Sequence, residues 1–187
     1  MTEPTPDDVL APADVQRYTS GRLAADNPET QRLLSAGLAA ARRFCGWHVA
    51  PVKQNQEVTL DGPGGKLLVL PTLALVELTS VEEDGVALDV DNDLRVSPRG
   101  LVQKRSGGLW CRHYGAVQVT MTHGYEEAPG FNAAVLSFVD RSSLAPSGGR
   151  ANVIGPFQYP VEAMAAASAF STVERSLLEQ YRLESAP

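Results

Sequence analysis

The sequence predicts an α+β fold: a small helical bundle with an inserted antiparallel, hairpin-rich β-sheet, and an extended C-terminal arm ending in a short helix. Three observations lead there. Apolar residues recur at helical spacing through residues 28–45 and again at 131–144. Between them, residues 52–124 break into short runs separated by Gly- and Pro-containing turns. A Ser-x-x-Glu signal at Ser171 then opens a final helix. At 187 residues the chain suffices for one buried core, so a single domain is expected. Its parts are N-terminal helices at 12–46, a β insert at 52–124, a helix at 129–145, an arm at 146–170 and a C-terminal helix at 171–184.

In chain order, the acidic, Pro-rich start resembles neither a signal peptide nor a folded element, and points to a protein made and kept inside a cell or packed into something assembled there. Pro12 can open a short helix to about Thr19, because a first-turn position needs no N–H donor. Asn27, Pro28 and Glu29 form a stronger start: an N-cap, a first-turn proline and an acid facing the helix dipole. Leu34, Leu38, Ala41 and Cys45 follow at helical spacing until Gly46 ends the run. Ala36, Gly37, Ala39 and Ala40 make a small-residue face that lets another helix approach closely.

Paired apolar runs flank Asp61–Gly65, Asp84-Gly85 and Ser97–Gly100, each a predicted hairpin reversal in a single sheet of five or six strands. Val117, Val119 and Met121 alternate with polar residues, as in a strand with one buried face. The strand ends at His123-Gly124-Tyr125, and Pro129 precedes a helix on which Phe131, Val135, Phe138 and Val139 share a face. Gly155-Pro156 rules out a regular helix through the following arm. Leu177, Leu178 and Tyr181 are the apolar face of the last helix.

Net charge is −6, which argues against a broad basic surface for gripping nucleic acid. No apolar run is long enough to span a bilayer. Asp61–Leu67 is too short for a phosphate loop and lacks its hydroxyl. Asp89, Asp91 and Asp93 lack the Gly and Glu of an EF-hand and read as a solvated turn. Cys45-x-x-His48 and Cys111-x-His113 have the residue types of a zinc site without knuckle spacing, so two free thiols and no metal or cofactor are expected. No nucleophile elbow accompanies His123, and no enzyme is expected.

The order of elements carries more than any motif. A small-residue helix, a hairpin-rich insert, a strand ending THGYEEAPGFNAAVLSFVDR, a GPF arm and a closing FSTVERSLLEQYRL resemble the head-to-tail connector (adaptor) proteins of long-tailed bacteriophages, in the form found in actinobacteriophages. The resemblance covers residues 28–184, through short features whose order matters more than each alone. It implies a ring of about a dozen copies in the virion neck, between the portal and the next neck or tail component. Genomic double-stranded DNA would pass through its lumen without sequence-specific binding, and the ring would form in the host bacterial cytoplasm.

On that reading His123, Gly124, Tyr125 and Pro129 are the junction between insert and helical wall. Phe157, Tyr159, Phe170, Leu178 and Tyr181 are candidate anchors to portal or neighbouring subunit, and Ala36, Gly37, Ala39 and Ala40 the ring-packing face. Hairpin residues Gly62, Gly64, Lys66, Asp84 and Gly85 are candidates for facing the tail. Two alternatives use other residues: a small α+β enzyme or ligand-binding domain centred on His123, and a single-strand nucleic-acid binder using Lys104, Arg105 and Trp110.

Overall fold

Segments from both ends of the sequence, up to Cys45 and Pro129–Arg182, make one unit, while Gly46–Ala128 with the residues from Leu183 make the other. The computed structural model describes residues 9–144, 153–154, 157–158 and 170–183, the side chains at 153–154 and 157–158 excepted. Its helices are α1 (Pro12–Tyr18), α2 (Pro28–Cys45), α3 (Val90–Asp93), α4 (Pro129–Leu144) and α5 (Thr172–Glu179). Its strands are β1 (Lys53–Leu60), β2 (Leu67–Val69), β3 (Leu75–Glu83), β4 (Val86–Leu88), β5 (Leu94–Val96), β6 (Leu101–Lys104), β7 (Val117–His123), β8 (Val153–Ile154) and β9 (Phe157–Gln158). The mixed α+β class is as the sequence predicts.

In the helical unit, α4 packs against both α2 and α5. Leu34, Leu38, Ala41 and Cys45 of α2 are buried, as are Phe131, Ala134, Val135 and Val139 of α4. Each large apolar side chain so buried contributes about 1.5–3 kcal/mol. Gly37 permits the close approach: a Cβ there would lie 3.2 Å from Phe138 and 3.3 Å from Val139. The α5 capping box forms as read, with Ser171 Oγ accepting from Glu174 N–H and the Glu174 carboxylate accepting from Ser171 N–H. Phe170, just before it, meets Phe44 edge-on and packs at a tilt on Phe138. The arm's Val153–Ile154 and Phe157–Gln158 pair antiparallel.

The insert forms two antiparallel sheets where one was expected: β1-β7-β3-β4 and β2-β6-β5. The Asp84-Gly85 and Ser97–Gly100 reversals are the predicted hairpins, joining β3 to β4 and β5 to β6. Asp61–Gly65 is not a hairpin. β1 pairs with β7 and β2 with β6, so this loop carries the chain from one sheet to the other. Asp89 caps the single-turn α3, accepting from Asp91 and Asn92 N–H groups, where the sequence suggested only an acidic turn. The two sheets share a core of Leu68, Leu70, Leu78, Val81, Leu94, Val102, Trp110, Val117, Val119 and Met121. β7 is central in the first sheet, and its buried Val119 lies between Val58 and Val81.

Candidate functional site

The end of β7 is tightly constrained. Gly124 has φ +119, a conformation side chains rarely adopt, and a Cβ there would lie 2.7 Å from both His48 Nε2 and Pro51 O. Its N–H donates to Ala74 O at 2.8 Å, and the Tyr125 N–H to Val49 O at 2.8 Å. The segment opposite, residues 47–52, includes a cis Ala50-Pro51 bond and Val49 at φ 65. Trp47 stacks on His123 and contacts the Tyr125 ring, while His48 meets His123 edge-on at 4.5 Å between centroids.

His123 is buried, and its Nε2 pairs with Gln56 Oε1 at 2.8 Å. Its Nδ1 has no hydrogen-bond partner. Burial first, then His48 and Lys53, push its pKa down to about 4, so the ring is neutral near pH 7. A general base must reach a substrate proton; this ring is enclosed by its own fold. Pro129 opens α4 and is exposed.

The proposed strand-stacking site fares similarly. Trp110 is only 2% exposed, and Lys104 lies over its ring while donating to Glu83 and to Leu109 O. No face of Trp110 is open to a base.

Among the candidate interface residues, several turn inward. Gly37 faces α4 of its own chain, so only Ala36 and Ala39 of the small-residue face are exposed, with Ala40 half-buried. Leu178 and Tyr181 are buried in the helical unit, and Phe170 packs on Phe44 and Phe138, so these three hold that unit together. The Phe157 side chain and Tyr159 lie outside the described residues. Cys45, also buried, directs its thiol at Leu178 O; burial and then the Glu179 charge push its pKa up to about 12. It is an inert core thiol.

Two features escaped the sequence reading. The outward face of the smaller sheet presents Leu67, Val69 and Leu101, with Val69 directly opposite Leu101. Their signal was the unbroken Leu67-Leu68-Val69-Leu70 run, which leaves apolar residues on both faces of one strand. The second is a cluster. Asp84, Cys111 and His113 bring ligand atoms within 4.8 Å of one another, and among the described residues no other such group of three occurs. Asp84 comes from the hairpin expected to face the tail; Cys45 and His48 take no part.

No protein-family model matches the sequence, and no curated protein does. Solved structures match in fold over nearly the whole chain. A chain in the neck of an empty gene transfer agent (GTA) particle, computed with C6 symmetry, aligns with TM-score 0.63 at 18% identity, covering 100% of this chain and 95% of that one. One in the virion of a native GTA particle gives TM-score 0.59 at 17% identity, covering 100% and 96%. One in the native neck, computed with C12 symmetry, gives 0.55 at 15%, covering 97% and 96%. The fold of this chain is therefore one found in the necks of GTA particles.

Proposed function

We propose that this chain is a structural subunit of a particle neck, forming a ring-shaped head-to-tail adaptor between portal and tail. One observation carries the reading: the likeness in fold, over 97–100% of this chain, to chains of C6- and C12-symmetric GTA necks. The sequence resemblance reaches the same class from element order. A repeated head-to-tail contact that closes after a fixed rotation makes such a ring. The exposed Ala36 and Ala39 on α2 and the apolar strip Leu67, Val69 and Leu101 are surfaces for neighbouring copies.

Phe157 and Tyr159 of the arm are the proposed anchors to the portal, and the Asp84-Gly85 hairpin and the Gly62–Lys66 loop face the next neck component. The acidic balance of the chain suits a lumen through which DNA slides without being held.

The test is particle size by light scattering, with and without purified portal, across protein concentrations. A ring-sized species on the portal is expected, reduced by L67S/L101S or by F157A/Y159A with the melting curve unchanged. Deleting residues 151–187 would be a poor probe, because α5 belongs to the helical core. A compact monomer that ignores the portal and binds DNA in a salt-sensitive way would contradict the proposal.

A further inference from the structure

We propose that Asp84, Cys111 and His113 form a binding site for a divalent transition-metal ion of the zinc class. The three residues offer a carboxylate oxygen, a thiolate sulfur and an imidazole nitrogen, donor types that zinc accepts together. Their ligand atoms lie within 4.8 Å of one another, and His113 Nδ1 is 3.0 Å from Asp84 Oδ1. Zinc bond lengths of about 2.0–2.3 Å place tetrahedral ligands about 3.3–3.7 Å apart. Small rotations of the exposed Asp84 and His113 side chains close the difference.

The backbones beneath the three ligands are already tied in place. Asp84 N–H donates to Ala116 O, and Cys111 N–H to Glu83 Oε1, both at 2.8 Å. Gly62 and Gly64 N–H groups donate to His113 O and Cys111 O at 2.9 and 2.8 Å, binding the loop that links the sheets to the Cys-x-His segment. That loop closes directly on the ligand sulfur: a Cβ at Gly62 would lie 2.4 Å from Cys111 Sγ. Only glycine fits there, so one side of the sulfur is walled by backbone while Asp84 and His113 remain open to solvent. Three protein ligands leave a fourth position for water. Binding requires the thiolate, so the Cys111 proton leaves to solvent as the metal–sulfur bond forms.

The experiment uses the full, untagged chain, kept reduced, titrated with Zn²⁺ by calorimetry and with Co²⁺ by absorption spectroscopy. One equivalent should bind, with a sulfur-to-cobalt charge-transfer band. D84N, H113A and C111S should each weaken binding at least about tenfold, and C111S should also abolish that band. Asn tolerates the left-handed backbone at position 84 (φ 50) and His113 is exposed, so D84N and H113A should keep the parent melting curve. Binding by the parent no tighter than by C111S, or unaffected by both D84N and H113A, would overturn the assignment and leave an Asp–His surface pair.

Discussion

The helical unit and the sheet unit bury a polar side chain in opposite ways. In the helical unit Glu174 is 2% exposed yet charged: burial alone would raise its pKa, but Arg141, the Ser171 N–H and Ser137 together hold it below the ordinary carboxylate value. All three donors reach it, Arg141 Nη2 at 2.8 Å and Ser137 Oγ at 3.0 Å. In the sheet unit His123 is equally buried, but its surroundings exclude charge and leave one ring nitrogen without a partner. One unit accommodates a charge by satisfying it, the other by neutralising it. The helical solution joins a two-residue cap, Ser171 and Glu174, to Ser137 and Arg141 one turn apart on the facing helix. The sheet solution depends on Gln56, Trp47 and His48, brought together only by folding.

The sharpest way to break the comparison is at Gly124. Gly124→Val forces a branched residue into φ +119 and onto His48 and Pro51, and should cost more than about 4 kcal/mol in denaturant unfolding. A native curve would remove the junction from its central place in the sheet unit.

Acid should separate the units next. The folded pKa of His123 lies below its ordinary 6.5, at about 4, so the unfolded chain takes up the proton first. Stability is then full above pH 6.5 and declines by about 3 kcal/mol as pH falls towards 4. Unfolding curves of His123→Gln across that window should lose most of this slope. Glu174, with its lowered pKa, contributes fully above the ordinary carboxylate value and loses that contribution progressively as pH falls from there through its folded value, so its slope lies at lower pH than that of His123.

Glu174→Ala, measured at pH 7, should cost about 2 kcal/mol, because Arg141 and the Ser171 N–H lose their acceptor. Ser171→Ala removes one half of the same cap and should cost about 1 kcal/mol. Equal costs for the two variants would mean that the Arg141 contact contributes nothing.

The same contrast explains what was legible in the sequence. Pro28, Ser171 and Glu174 announce helix starts within a few residues, and α2, α4 and α5 all begin where such signals place them. The Asp84-Gly85 reversal was equally readable, since its two residues adopt φ 50 and φ 79. The division into two sheets was not, because β1 meets β7 about sixty residues later and nothing around Asp61–Gly65 distinguishes a reversal from a crossing. Periodicity placed Leu178 and Gly37 on helix faces without saying whether α4 or another subunit covered them. Cys111 and His113 were visible as a spacing, but Asp84 joins them only through the fold.

The central claim is that this chain builds a neck ring, and a density map of intact particles tests it most directly. The account predicts this fold repeated around the axis between portal and tail, with the β insert and helical unit both fitting the density. A map whose neck is filled by other chains, with no density for this one, would contradict it.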